Sequence, residues 1–423
     1  MQRFYCKTQR QRSHPRGLSR YGGSGLCYVL AACALLLALG ACSDFTQSVD
    51  PVIDQVPDER LNNEAQVNFL ITGVKVRFAT THDNLMVAAS GLSDEFIFDS
   101  RVPNATFPQF QEIDLGDITL DNNSVDAAFF PLGELRYFAD DLIRRANAIT
   151  VSNANLKQRA IFTGYLYGGI ARYLYAAYIG LNPTEGGGVI DNGPFIPSAQ
   201  MYDLALESFQ QALNHAADDY DRRVVNSLRA RIYLIRGDYA NARTFALQGL
   251  AAGDAPLQSL HSTESTNYYW QQAGLGRPQF VCNDRFLAYV TADPAEAARI
   301  SLAPITGRGG AVFQRQAKYA TDSSPIDFIS WQENELMLAE LDLRLGDAIA
   351  ALSKVNALRA SHKIGALAAI DLNGLLVERD KELFVTGIRL VDQRRFGRFH
   401  LPAGRWQFLP ITDDKRNNNP NFD

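Results

Sequence analysis

Residues 343–351 read Leu343-Arg344-Leu345-Gly346-Asp347-Ala348-Ile349-Ala350-Ala351, and residues 234–242 read Leu234-Ile235-Arg236-Gly237-Asp238-Tyr239-Ala240-Asn241-Ala242. In each stretch an amphipathic run ends at Gly-Asp. Glycine adopts the left-handed conformation that closes a helix, and aspartate caps the first turn of the next one. An alanine stands five residues after each glycine, where a small side chain lets two helices approach closely. Both stretches therefore predict a helical hairpin.

The two hairpins follow the tetratricopeptide design, in which a repeat of about 34 residues forms one helix pair. Gly237 and Gly346 are much farther apart than one repeat, so the hairpins are not adjacent repeats. The residues between them, about 252–325, are rich in Gly, Ser, Thr, Tyr and Pro and predict an irregular insertion. We therefore expect hairpin regions at about 156–250 and 330–360 around a loop-rich part.

Apolar residues at helical spacing predict further helices and a mainly α fold. We expect these helices at about 65–79, 131–148, 156–179, from Ser198 onward, and 371–395. Residues 81–127 mix Asn, Asp, Gly and Pro with short apolar runs, and they predict loops with a short strand or helix.

The amino terminus has the pattern of an export signal. Residues 1–41 contain six basic side chains and no acidic one, and an apolar run covers 26–41, too short to span a bilayer as a helix. The run ends in Leu39-Gly40-Ala41-Cys42, which resembles a bacterial lipobox. We predict a signal peptide at 1–41, lipid attachment at Cys42 and an acidic tether over 42–65. The alternative is an uncleaved signal-anchor helix.

Charge and cysteine content exclude several function classes. The formal net charge is −5 although the signal is basic, so the body is acidic and unsuited to nucleic acid. Four of the five cysteines lie in the first 42 residues, which leaves Cys282 as a lone, buried apolar residue. The histidines lack metal-ligand spacing. We therefore predict no catalytic residue, no metal site and no cofactor.

Four stretches, taken in order, resemble the SusD/RagB family of outer-membrane nutrient-binding lipoproteins. They cover Pro197–Leu213; Asn334–Glu340 with Leu345-Gly346-Asp347 and Leu352…Arg359; Glu378–Phe384 with Gly387 and Asp392–Arg395; and Leu409-Pro410-Ile411 with Asn419-Pro420-Asn421. The resemblance is anchored in residues 156–250 and 330–423. Residues 66–150 agree loosely, and Trp331 stands near where the family often has arginine.

The resemblance implies a single SusD-like α–α superhelix over 66–423 with an irregular ligand-facing part. It also implies a surface lipoprotein of the outer membrane that captures a glycan, oligosaccharide or peptide nutrient. Its partner would be a SusC-like TonB-dependent transporter, and the chain would not be an enzyme. The alternatives are a tetratricopeptide-type scaffold for envelope proteins without a small ligand, and a cell-surface hydrolase.

Two clusters of side chains are candidates for chemistry. Aromatic rings stack on the C–H faces of sugars while amides pair with their hydroxyls. We therefore predict ligand contact at Trp270, Tyr269, Tyr268 and Asn267. The alternative is that these rings pack the loop onto the helices. A charged cluster, Glu378, Glu382, Asp392, Arg394 and Arg395, predicts ion pairs that fix the last helix rather than catalysis.

Overall fold

The two Gly-Asp turns close antiparallel helix pairs in the computed structural model, which describes residues 58–422. Gly237 and Gly346 have φ angles of 74° and 85°. The Asp238 carboxylate accepts a hydrogen bond from Asn241 N at 3.1 Å, and Asp347 accepts one from Ala350 N at 2.9 Å. The alanines that follow, Ala242 and Ala351, are fully buried. The predicted hairpins are confirmed.

Helices dominate the described residues, in agreement with the predicted mainly α class. The fourteen α-helices are α1 Val67–Leu92, α2 Pro108–Leu115, α3 Asn123–Ala148, α4 Ala154–Tyr178, α5 Ser198–Asn214, α6 Asp219–Ile235, α7 Tyr239–Ala246, α8 Tyr268–Ala273, α9 Asp284–Ala292, α10 Trp331–Arg344, α11 Ala348–Ser361, α12 Leu372–Glu382, α13 Ile388–Arg395 and α14 Asp413–Asn417.

Ten short strands within residues 58–422 pair two by two. They are β1 Phe96–Ile97, β2 Ile179–Gly180, β3 Gly187–Val189, β4 Phe195–Pro197, β5 Leu257–Ser259, β6 Val281–Cys282, β7 Leu302–Thr306, β8 Val312–Gln316, β9 Ile326–Ile329 and β10 Leu409–Pro410. The antiparallel pairs are β1–β6, β3–β4, β5–β9 and β7–β8, and β2 pairs in parallel with β10. Each pair fastens a loop rather than forming a layer.

Helix α4 lies at the centre of the core and packs against α1, α3 and α5. Two glycines allow this close packing. A Cβ at Gly164 would lie 2.8 Å from the Ala139 carbonyl oxygen on α3, and one at Gly169 would lie 2.6 Å from the Phe209 ring on α5. Real Cβ atoms do not approach so closely, so any side chain at these positions would push the helices apart.

The two hairpins pack directly against each other although they are distant in the sequence. Arg231 on α6 pairs with Glu333 on α10, with Nη2 and Oε2 2.6 Å apart. The Asn334 amide nitrogen donates to the carbonyl oxygens of Ala246 and Leu250, at 2.9 and 3.0 Å. The segment between the hairpins is thus an insertion into one helical unit, and it holds α8, α9 and β5–β9.

Three predicted helix boundaries are wrong. Helix α1 continues to Leu92 instead of ending at 79, and α3 begins at Asn123 although Pro131 lies inside it. The polar residues of α1 that resemble a loop are buried and paired: Thr81 Oγ donates to the Pro131 carbonyl at 2.9 Å. Residues 371–395 form two helices, because Val385 (φ 52°) and Gly387 (φ 75°) break the run.

The predicted signal, Cys42 and most of the predicted tether lie outside the described residues. Within residues 58–65 there is a 3₁₀ turn at Asp58–Leu61. Farther on, the Glu64 carboxylate accepts hydrogen bonds from Ser152 N at 2.9 Å and Asn153 N at 3.0 Å. The chain is therefore already fastened at residue 64. Among residues 58–422 no helix combines the length and apolar character needed to cross a bilayer.

Four of the five predicted residues around α12 and α13, namely Glu378, Glu382, Asp392 and Arg395, take part in an ion-pair network. The prediction is wrong for Arg394, which instead donates to the carbonyl oxygens of Ala177 and Gln407. Glu378 pairs with Arg359 at 2.8 Å and with Arg299 at 3.0 Å, while Asp392 pairs with Arg379 at 2.8 Å. Burial alone would raise the pKa of Asp392, but Arg379 and Arg395 hold that pKa below its usual value. Arginines hold both carboxylates, so these pairs fix the last helices in place.

A buried carboxyl, Glu95, holds the strained turn at Val385. Its Oε1 accepts a hydrogen bond from Val385 N at 2.7 Å, and its Oε2 has no partner within residues 58–422. Burial raises the pKa of Glu95 from 4.5 to about 7. Between these two values the folded state keeps a proton that the unfolded state releases, so stability falls as the pH rises through that window.

We expect Glu95→Gln to remove this loss. Glutamine keeps an acceptor oxygen for Val385 N and stays neutral. At pH 8 the free energy of unfolding of the variant should therefore exceed that of the wild type by up to about 3 kcal/mol. Near pH 4.5 the two proteins should unfold at similar urea concentrations. Glu207→Gln, at an exposed position on α5, is the control. It should leave the free energy of unfolding unchanged at both pH values. An equal difference at both pH values would contradict this account.

Candidate functional site

The predicted aromatic segment forms α8 and the turns on either side of it. The Asn267 side chain caps α8, accepting a hydrogen bond from Trp270 N at 2.9 Å and donating one to the Ser324 carbonyl at 2.8 Å. Tyr268 N donates to Asp83 Oδ2 on α1 at 2.9 Å. Helix α8 is therefore fixed to α1 on one side and to the turn before β9 on the other.

The four predicted contact residues differ in exposure. Tyr269 is fully buried, and its hydroxyl bonds to Ser90 Oγ at 2.8 Å and to the Met86 carbonyl at 3.1 Å. Asn267 is also buried, as the cap. Tyr268 and Trp270 are half-buried. The structure thus gives Tyr269 and Asn267 positioning roles, and Tyr268 and Trp270 retain surface for a ligand. Ligand contact at all four stays a prediction.

Trp270 lies in an exposed cluster that we call the aromatic face, formed by Trp270, Phe107, Leu275 and Arg277. The chain turns back after α8, where Gly276 N donates to the Trp270 carbonyl at 2.9 Å and Gly276 lies against the indole ring. The Arg277 guanidinium stands 5.6 Å from the centre of the Phe107 ring. Phe107, Leu275 and Arg277 are exposed, so the face offers apolar rings and a cation to solvent.

Two buried glutamines support the chain behind this face. Gln279 Oε1 accepts a hydrogen bond from Thr106 N at 3.1 Å, which holds the residue before Phe107, while its Nε2 has no partner in the described part of the chain. Gln272 Oε1 also lacks one there. Buried amide atoms without partners are rare and costly. Both atoms are enclosed by the protein, so the two glutamines support the loop from below and do not themselves face a ligand.

The sequence did not single out Phe107, Arg277, Gln272 or Gln279 as site residues. Phe107 lies in the stretch 81–127, whose composition predicts loops, and Gln279 lies beyond the aromatic run. Their contribution depends on a contact between segments about 170 residues apart, since Thr106 N bonds to Gln279. No spacing rule within one segment could have revealed it.

The structure also brings together a serine, two histidines and an aspartate that resemble a catalytic triad in composition. Ser259 Oγ lies 2.9 Å from His82 Nδ1 and 3.2 Å from His261 Nε2, and His261 Nδ1 lies 3.6 Å from Asp83. Burial raises the pKa of Asp83 well above its usual value and lowers those of both histidines. Ser259, His82 and Asp83 are buried, and the cluster fastens β5 to α1 rather than facing a substrate.

Solved structures share this architecture. A SusD superfamily protein from Bacteroides thetaiotaomicron superposes with a TM-score of 0.70 at 15% identity, over 85% of this chain and 98% of that one. A putative sugar-binding protein from Bacteroides vulgatus gives a TM-score of 0.68 at 16% identity, over 84% and 97%. The fold is that of the SusD superfamily. A laminarin-binding SusD-like protein also matches, with a TM-score of 0.67 at 13% identity, over 84% and 98%.

The SusD resemblance seen in the sequence is thus confirmed as a shared fold. Solved neighbours of this fold include SusD-like carbohydrate-binding proteins. No protein-family model matches the sequence, and no curated protein sequence matches it. The fold is therefore shared at identities of 12–16%.

Proposed function

We propose that this chain is a non-catalytic, lipid-anchored carbohydrate-binding protein of an outer-membrane uptake complex. The observation that carries the proposal is the aromatic face, in which the half-buried Trp270 and the exposed Phe107, Leu275 and Arg277 offer apolar rings and a hydrogen-bond donor to solvent. A sugar would present a C–H face to a ring and hydroxyls to the exposed Arg277 guanidinium. The SusD-like fold of known carbohydrate-binding proteins supports the same ligand class.

The mechanism is capture, closure over a TonB-dependent transporter, and release inward. Capture has modest affinity, because a ligand held too tightly is not passed on. The aromatic face suits this task, since it is an open surface rather than an enclosed cavity, and ring stacking tolerates many sugars. The second candidate function is a scaffold, which the tetratricopeptide-like hairpins favour. In that case the chain would bind envelope proteins and no glycan.

Affinity electrophoresis through gels that contain laminarin, starch, inulin, mannan or pectin tests the proposed ligand class. We expect at least one polysaccharide to retard the purified protein and no shorter products to form on long incubation. A protein that none of these polysaccharides retards, but that captures envelope proteins, would favour the scaffold. Release of oligosaccharides would show an enzyme instead.

We expect Cys42→Ser to move the protein from the membrane to the soluble fraction. Several acyl chains bind a bilayer durably because each buried CH₂ contributes about 0.8 kcal/mol, and serine cannot carry the thioether. Cell fractionation with immunoblotting measures the distribution, and Cys282→Ser is the matched control because that thiol is buried in the body. A Cys42→Ser protein that stays in the membrane would contradict lipid anchoring at this residue.

A further inference from the structure

A cavity opens along α4, away from the aromatic face. Its volume is about 730 Å³, within the usual range for small-molecule sites, and we call it the α4 groove. It is bounded by the first turns of α1, by α4 and by the α5–α6 turn, with Asn68, Asn155, Thr163, Tyr167, His215 and Tyr220 among its lining residues. A smaller cavity of about 390 Å³ adjoins it at Tyr167, Tyr220 and Leu257.

The floor of the α4 groove carries two hydroxyls without partners. Thr163 and Tyr167 are 3% and 4% exposed, and they lie one turn apart on the same face of α4. Neither hydroxyl forms a hydrogen bond with any residue in the range 58–422, although the hydroxyls of neighbouring residues do; Tyr220, for example, donates to the Pro256 carbonyl at 3.3 Å. Neither oxygen is among the fully enclosed unpaired atoms of residues 58–422, so both hydroxyls open onto the groove and can pair with a ligand there.

The remaining lining indicates the chemistry of that partner. Phe162, Leu166 and Val224 give the floor an apolar side, and Asn155 lines the groove as an exposed amide. The charged lining residues balance, with Lys75 and Arg159 against Asp218 and Asp221. A balanced lining gives no net attraction to an anion or a cation, whereas hydroxyls beside an apolar wall suit a neutral ligand with many hydroxyl groups.

We propose that the α4 groove is a second carbohydrate-binding site, for a neutral mono- or oligosaccharide whose hydroxyls pair with Thr163 and Tyr167. The choice of a sugar among neutral polyols rests on the proposed function. The groove is separate from the aromatic face. It lies at the start of α1, whereas α8, which carries Trp270, packs near the end of α1 through the Tyr269–Ser90 hydrogen bond. At 1.5 Å per residue, Lys75 and Ser90 are about 22 Å apart along the helix.

The test replaces both hydroxyls with groups of the same shape, in Thr163→Val/Tyr167→Phe. Calorimetry on the detergent-solubilised full-length protein, with glucose, mannose, galactose, maltotriose and laminaritriose as probes, measures binding. We expect saturable binding of at least one probe and at least a tenfold loss in the double variant, since two hydrogen bonds are removed. Tyr137→Phe, an exposed tyrosine on α3, is the control and should bind as the wild type does.

The thermal midpoint of the same variant is the second measurement. Because neither hydroxyl is paired within the protein, their removal should leave the midpoint unchanged or raise it. A lower midpoint would show that the hydroxyls are already paired in the free protein and would overturn the proposal. Equal sugar affinity in wild type and double variant, or no saturable binding of any probe, would overturn it too.

The outcome is distinguishable from that of the proposed function. Retardation by polysaccharide, which depends on the aromatic face, is measured in parallel on the same preparations. If the double variant is retarded like the wild type while no probe binds the groove, the groove proposal fails and the proposed function stands. In the opposite case, probes bind the wild type but not the double variant, and no polysaccharide retards either protein. The groove proposal then stands, and polysaccharide binding at the aromatic face is contradicted.

Discussion

Replacing Arg231 by methionine is expected to destabilise the protein by about 3–5 kcal/mol, because it leaves the Glu333 charge buried without its partner. The two side chains are 4% and 3% exposed, and their Nε–Oε1 and Nη2–Oε2 distances are 2.8 and 2.6 Å. Burial would lower the pKa of Arg231, but Glu333 raises it above its usual value, so the guanidinium stays charged. Urea unfolding measures the loss.

The double variant Arg231→Met/Glu333→Leu is expected to recover most of that stability, since a well-packed apolar pair often replaces a buried ion pair at little cost. Arg222→Met is the control for charge removal, because Arg222 and Asp219 pair on the exposed surface of α6 and contribute at most about 1 kcal/mol. An equal loss in Arg231→Met and Arg222→Met would contradict direct packing of the two hairpins through this pair.

Trp270→Ala is expected to weaken polysaccharide binding by about 30-fold or more, the effect of removing an aromatic residue that contributes at least about 2 kcal/mol. Trp270 is the half-exposed ring on the aromatic face, and alanine removes the surface on which a sugar would stack. Affinity electrophoresis and calorimetry with the retarding polysaccharide measure the change.

Two controls separate lost contact from lost folding. Tyr137→Ala removes an exposed ring of α3 that lies outside the aromatic face, and it should bind normally. Trp270→Phe keeps a smaller ring and should retain part of the affinity. If Trp270→Ala binds as tightly as Tyr137→Ala, Trp270 is not a contact residue, and the rings of α8 serve only to pack the loop.

The hairpins could be predicted because their signals are local. A Gly-Asp pair at positions 237–238 or 346–347 both ends one helix and caps the next, and Ala242 and Ala351 mark the buried side. The charges of α12 and α13 were also interpretable, since alternating acids and bases on one helix favour ion pairs. Such features need only a few neighbouring residues.

The rest depends on contacts between distant segments. The polar residues Thr81, His82 and Asp83 favour a loop in the sequence, yet they lie inside α1. Each forms a hydrogen bond with a residue 50 to 185 positions away. Pro131 looks like a helix start, but Phe129 and Leu132 continue one buried face across it, which outweighs the lost backbone hydrogen bond. The aromatic face and the α4 groove likewise join segments whose contacts no single stretch contains.

The most direct test of the central claim is to identify the proteins that accompany this one. The tagged native protein is solubilised from the membrane in mild detergent, and the copurifying chains are identified and quantified by mass spectrometry. A function in uptake predicts that a TonB-dependent transporter copurifies in an amount equal to that of this protein. The transporter should also copurify with Trp270→Ala, because that substitution is directed at sugar contact and not at the transporter. Absence of such a transporter, with other envelope proteins present in its place, would contradict nutrient uptake and support a scaffold.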